Sequence, residues 1–287
     1  MTDSDAAERG KRAAECGDGT GECGEGILEE MTIDEVEAFD PEIVVFGIGS
    51  TEPHGPHLPY GTDTIQTEAV CRRAVTRANE RGASVLMYPT LPIGNNVNFK
   101  AYPFACRIGV RTLMDVVLDV IEAIEEEGVE KIVLVNGHGG NTDTLEATLR
   151  DHAGRHGPGG GAFVCLTSVS GAIPDEVAER IEHPSPHAGE RETARIMHLR
   201  PDLVREDEFE AFPMLEPTAD TLRSEKVTFV PRWDAYLPES AGGETRESTA
   251  ELGQALVDGA ADWMADLLVE LDEAQLHGKF PYPDEDG

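Results

Sequence analysis

Four short runs of apolar, largely β-branched residues punctuate the chain: Glu42 to Ile48, Ser84 to Tyr88, Lys131 to Asn136 and Ala162 to Leu166. Their hydrophobicity is nearly continuous rather than alternating, which is the pattern of strands buried on both faces. Between them lie longer stretches with helical spacing, Thr64 to Arg81, Arg111 to Glu127 and Thr142 to His156. Leu113, Val116, Val117, Val120, Ile121 and Ile124 line one face of the second. Strand alternating with helix predicts an α/β fold, a three-layer α/β/α sandwich on a mostly parallel sheet. A short helix is expected near Thr32 to Val36, with Thr32 or Asp34 as its cap. Two more are expected at Glu190 to Leu199 and Glu247 to Asp272, joined by a long, irregular acidic stretch. In the last of these, Trp263, Met264, Leu267, Leu268 and Leu271 form a core stripe.

Composition adds boundaries to this picture. Residues 1–26 are rich in Gly, Glu and Asp and too poor in large apolar side chains to offset the entropy of ordering, so they read as a flexible acidic extension. Residues 27–275 then form a single catalytic domain, and 276–287 a frayed tail. The 56 acidic and 23 basic residues give a net charge of -33. Such a field repels phosphate backbones and anionic lipid, which argues against nucleic-acid and membrane partners. The acids are spread along the whole chain, as in a surface kept hydrated at high salt, and this suggests a halophilic source. Neither a membrane-length apolar run nor an export signal is found, so a cytoplasmic location is expected. The five cysteines are scattered and odd in number, which fits neither a disulfide framework nor a cysteine metal site; Cys16 and Cys23 are spaced to bind a metal weakly at most.

In sheets of this kind ligands gather beyond the carboxyl ends of the strands. After the first strand come Glu52, His54, His57 and Asp63 among glycines and prolines, the carboxylate and imidazole donors that suit Zn²⁺, Mn²⁺ or Fe²⁺. The third strand runs into Asn136-Gly137-His138-Gly139-Gly140-Asn141, which puts His138 at a strand end. No Walker lysine or Gly-x-Gly-x-x-Gly pattern supports a phosphate-binding reading of this turn. A further loop, His183 to Ala194, delivers His187, Glu190 and Glu192 to the start of a helix, where acids also suit the helix dipole.

Taken together, Glu-x-His-Gly-x-His-Leu-Pro-x-Gly-x-Asp, Asn-Gly-His-Gly-Gly-Asn and His-Ala-Gly-x-x-Glu-Thr resemble the creatininase family of metal-dependent amidohydrolases. The resemblance implies two divalent metal ions per chain, with Zn²⁺ ahead of Mn²⁺ or Fe²⁺. Glu52 and His138 would bind one, His54 the other, and Asp63 would bridge them. In creatininase itself the residue two after the motif His is a metal-binding Glu; here it is Gly140, and Glu192, rather than Glu190, is taken as the replacement. His187 is then the proton shuttle, with Glu192 beside it in the catalytic set. His57 is left as either a support for a ligand or a substrate contact. The implied reaction is hydrolysis of a non-peptide or cyclic C–N bond in a small-molecule amide. Deformylation of a pyrimidine nucleotide and peptide trimming are the family alternatives, and a catalytically inactive metal-binding or assembly protein is the alternative of another class. A two-metal phosphatase or nuclease shares the ligand chemistry. The Gly94 to Ala105 stretch diverges from relatives, Gly139 replaces an aromatic contact, and Lys100, Arg107 and Arg111 could form a basic patch for a phosphorylated substrate. A homo-oligomer, often a hexamer, is also implied, with the apolar last helix available for its contacts.

Overall fold

The apolar runs become the four strands of one parallel sheet, β1 (Ile43–Ile48), β2 (Val85–Leu91), β3 (Lys131–Asn136) and β4 (Phe163–Ser168), in the spatial order β2-β1-β3-β4. The computed structural model describes residues 26–156, 160–224 and 226–283; the acidic extension, apart from Gly26, lies outside these, as do Cys16 and Cys23. The helices are α1 (Ile33–Ala38), α2 (Thr62–Glu80), α3 (Val110–Glu126), α4 (Thr142–Arg155), α5 (Asp175–Ala178), α6 (Glu190–Leu199), α7 (Trp233–Tyr236) and α8 (Ala250–Glu273).

Successive side chains of a strand point to opposite faces. Ile43 and Val45 of β1, with Val133 and Val135 of β3, therefore pack on one side against Val70 and Ala74 of α2 and Leu256, Ala260, Met264 and Leu268 of α8. Val44, Phe46, Ile48, Ile132 and Leu134 pack on the other side against Leu113, Val117 and Ile121 of α3 and Leu145 of α4. Both faces are covered, giving the three α/β/α layers and explaining why the strands carry no polar alternation. The strand order reverses at β1, whose neighbours are β2 on one side and β3 on the other. The loops that follow β1 and β3 leave toward opposite layers, which opens a crevice over the carboxyl end of the sheet.

Two contacts fix the layer that carries α6. Gly253 of α8 lies against the α6 backbone so closely that a Cβ would collide with the carbonyl oxygen of Ala194. On the outside, Arg77 of α2 and Arg81 just past its end pair with Asp258 (2.8 Å), Asp262 (2.9 Å) and Asp266 (2.6 Å) of α8.

Four expectations change. Met264, Leu268 and Leu271 are buried, but Trp263 is 42% exposed, because it sits one position off the helical line they share. The apolar face of α8 is covered within the chain, so the helix does not offer that face for oligomer contacts. The tail from 276 docks rather than frays as far as Phe280, which packs edge-on against Phe163 at 4.8 Å. The acidic stretch between α6 and α8 is not simply irregular. It contains the antiparallel pair β5 (Ala211–Phe212) and β6 (Gly243–Glu244), and it folds over the site, with Gly242 N–H donating to the His187 carbonyl and Ser240 Oγ to that of Pro53. Among the described residues no helix is long and apolar enough to cross a membrane.

Candidate metal centre

The crevice is furnished by segments leaving β1 and β3 and by the starts of α2 and α6. Beyond β1, Ser50 Oγ donates to Glu52 Oε2 at 2.9 Å and itself accepts from Asn96 Nδ2 at 3.1 Å, which pins the Glu52 carboxylate. His54 Nδ1 lies 3.0 Å from the Glu52 carbonyl. Asp63 rides on the first turn of α2, where the helix dipole favours a negative charge. His138 leaves β3 with its Nε2 3.1 Å from the Asn95 carbonyl. Glu192 rides on the first turn of α6, and the Ala188 N–H donates to its Oε2 at 2.6 Å. His187 Nε2 is 2.9 Å from the Pro53 carbonyl.

A carbonyl only accepts, so each of these three rings places an N–H on its outer partner and turns the other nitrogen inward. His138 Nδ1 stands 3.2 Å from both Glu52 Oε1 and Asp63 Oδ2. His54 Nε2 stands 3.3 Å from Asp63 Oδ1 and 3.7 Å from Glu192 Oε2. Glu52, His54 and Asp63 are at most 2% exposed and His138 is 7% exposed. Despite the short distances, Glu52 Oε1, His54 Nε2 and Asp63 Oδ2 have no partner in hydrogen-bonding geometry. Lone pairs of imidazole and carboxylate facing each other in a buried space require a positive charge between them, either a proton or a cation.

The electrostatics show how strong that requirement is. Burial pulls His54 down, but the charges of Asp63, Glu192 and Glu52 outweigh it and raise its pKa to about 9. His138 is likewise raised well above its ordinary value, with Glu52 and Asp63 overcoming burial. Burial favours the neutral acid at Asp63, yet His54 and His138 hold it well below the usual carboxylate range. Donor atoms converge in two groups that share one residue, Glu52, Asp63 and His138 in the first and His54, Asp63 and Glu192 in the second, each within 4.8 Å. The residues therefore fit two cations with Asp63 common to both. A third group joins His187 to Glu52 and His54, with His187 Nδ1 3.8 Å from Glu52 Oε1.

The family model for creatininase, described as creatinine amidohydrolase, matches residues 29–268. The chain belongs to the creatininase family. The mycofactocin precursor peptide peptidase of Mycolicibacterium smegmatis is 33% identical over 171 residues, 58% of this chain and 61% of the relative. That of Mycobacterium tuberculosis strain H37Rv is 29% identical over 201 residues, 67% of this chain and 73% of the relative. The chain thus spans about three fifths of the length of the M. smegmatis relative and of that from Mycobacterium ulcerans, which is matched over 62% of its length. The creatinine amidohydrolase of Pseudomonas putida is 26% identical over 180 residues, 56% of this chain and 66% of the relative. A solved structure from Bacteroides fragilis, described as a candidate creatinine amidohydrolase, superposes with TM-score 0.78 at 26% identity over 88% of this chain and 98% of that one.

As a creatininase-family centre the site departs from creatininase at Gly140. A Cβ there would collide with the Asn95 carbonyl and with His138 Nε2, so a glutamate has no room in this loop. Glu192 lies in the cluster, whereas Glu190 is turned aside to accept the His183 N–H at 2.6 Å. His57 is fully buried, 3.0 Å from Thr193 Oγ1 and stacked on Phe212 at 5.2 Å; burial, then the charge of His54, lowers its pKa to about 4. Its ring is thus enclosed between α6 and the β5–β6 pair. A cleft of about 420 Å³ is lined by Val97, Lys100, Ala101, Val230 and Arg232, the last paired with Asp234 at 2.6 Å, and Arg107 and Arg111 are not part of its lining.

Several residues of the centre carry no motif signal. Gln66 Nε2 donates to Asp63 Oδ1 at 3.2 Å, and Gln66 Oε1 accepts from the fully buried Arg195 at 2.9 Å. Trp233, from the acidic stretch, packs tilted against Phe99 at 5.2 Å and meets His187 edge-on at 5.6 Å. A Gln and an Arg at helical positions suggest solvated faces, and only a helical-wheel comparison of α2 with α6 hints that both point inward.

Proposed function

We propose that the chain hydrolyses an amide C–N bond in a peptide or peptide-like substrate, at a centre where Glu52 and His138 hold one divalent cation, His54 and Glu192 a second, and Asp63 both. The observation that carries this reading is the pair of buried histidines whose inner nitrogens face carboxylates while their outer nitrogens are locked on the carbonyls of Glu52 and Asn95. Zn²⁺, Mn²⁺ or Fe²⁺ suits this donor set, and when bound supplies the Lewis acidity that makes water a nucleophile near neutral pH and steadies an oxyanion. His187 does the proton work. Its Nε2–H is held by Pro53 and burial lowers its pKa, so Nδ1 is free to take a proton and hand it to the departing nitrogen. Phe99 and Trp233 cover the ring and limit the access of water.

Peptide-like substrates are favoured over creatinine because the relatives named as peptide peptidases are more similar to this chain than the creatinine amidohydrolase is. A pyrimidine nucleotide is less well served, since Arg107 and Arg111 lie outside the cleft lining.

Elemental analysis of the parent and of Asp63→Ala tests the centre, and a panel of short peptides, formamides, creatinine and a phosphodiester tests the reaction. Asp63→Ala is expected to hold about two metals per chain fewer than the parent and to lose amide hydrolysis with them. A parent that takes up no Zn²⁺, Mn²⁺ or Fe²⁺, or that cleaves only the phosphodiester, overturns the reading.

A further inference from the structure

We propose a second, separate metal site: Glu125, His152 and His156 form a three-donor pocket for a divalent transition-metal ion of the Zn²⁺ type. Glu125 is on the last turn of α3, His152 on the last turn of α4, and His156 four residues on, just past the end of α4. His152 Nε2 lies 3.0 Å from Glu125 Oε1 and His156 Nε2 lies 3.9 Å from Glu125 Oε2, with the two rings 4.8 Å apart. Donors held about 2.0–2.1 Å from a tetrahedral Zn²⁺ are about 3.3 Å from one another, a value between the 3.0 and 3.9 Å found here, and all three donors lie within 4.8 Å of one another. Two imidazoles and a carboxylate are a usual zinc set and leave a position for water.

The donors are oriented by their surroundings. Glu125 Oε1 also accepts the Ala162 N–H at 2.7 Å, which fixes the carboxylate at the entrance to β4. Gly161, at φ +74°, lets the chain pass under the His156 ring, where a Cβ would stand 2.7 Å from it. The side chains of Glu125, His152 and His156 are 17%, 6% and 32% exposed, sheltered yet open to an ion from solvent, and the net charge of -33 concentrates cations around the molecule. The cluster lies at the amino ends of β3 and β4, the opposite edge of the sheet from the candidate centre. An ion bound there ties α3, α4 and the entry to β4 together and stabilises the native chain in proportion to its concentration.

The test is Zn²⁺ titration by calorimetry and by thermal denaturation of the full chain in an Asp63→Ala background, which disables the first centre, with Glu125→Gln or His156→Ala added. Asp63→Ala alone is expected to retain a Zn²⁺ site and a Zn²⁺-dependent rise in melting temperature. Each added substitution should weaken that site more than about 100-fold, beyond the loss typical of an outer partner, and abolish the rise. His156 is a third exposed, so its replacement leaves the fold intact, and His156→Ala in the otherwise unaltered chain should keep its metal centre and hydrolysis. Zn²⁺ binding that is absent from Asp63→Ala, or unchanged by both added substitutions, overturns the proposal and leaves the His152 to Glu125 contact as a plain hydrogen bond.

Discussion

Asp63 concentrates the chemistry of the centre, because two histidines and two carboxylates are arranged around one buried acid. Without a cation, protons on His54 and His138 balance these charges. The raised His54 pKa gives stability that is fully present below about 6.5, its ordinary value, and is lost as pH rises through about 9. A cation must displace those protons, so binding at pH 7 should release protons and strengthen with pH up to about 9. Calorimetry in buffers of differing ionisation enthalpy measures this, and buffer-independent heats would contradict it. Gln66→Leu should cut the tie to Asp63 and strand Arg195, lowering stability by about 1–3 kcal/mol and weakening metal binding about 10–100-fold. A variant that melts with the parent and binds metal equally would show that the Arg195–Gln66–Asp63 relay carries no weight. Nothing in the local sequence announces this relay, since Gln66 and Arg195 are 129 positions apart.

At the scale of elements, the strands and helices were legible because each is set by its own periodicity. The observed boundaries of α3 and α4 fall within about one residue of the pattern, and α6 coincides with it. The β5 and β6 pair, and the way Ser240 and Gly242 close over the site, were not legible, because two-residue strands have no periodicity to read. The join between α6 and α8 depends on one glycine. Gly253→Ala should push the helices apart and cost about 1–3 kcal/mol as overpacking. Because Glu192 and Thr193 ride on α6, metal affinity should fall with it. Denaturant titration with and without metal tests this; unchanged midpoints in both would mean that the contact yields without strain.

For the molecule as a whole, charge is the dominant property. Arg77 and Arg81 neutralise part of the acidic face of α8, but most of the excess remains unpaired and repels itself. Raising salt from about 0.1 to 1 M shortens the screening length from about 10 to 3 Å. The melting temperature should therefore climb over that range, and a flat or falling curve would remove the argument for a high-salt habitat. Further sequence determinants are the family motifs, the α/β layering and the identity of the donors at Glu52, His54, Asp63 and His138, because strand periodicity and loop composition are local. Tertiary structure alone decided that Gln66 and Arg195 back Asp63, that a side chain at Gly140 has no room, that Trp263 faces out while Trp233 guards His187, and that Glu125 meets His152 and His156. Each of these depends on which distant segments the reversal of strand order brings together, and that is a property of packing in three dimensions.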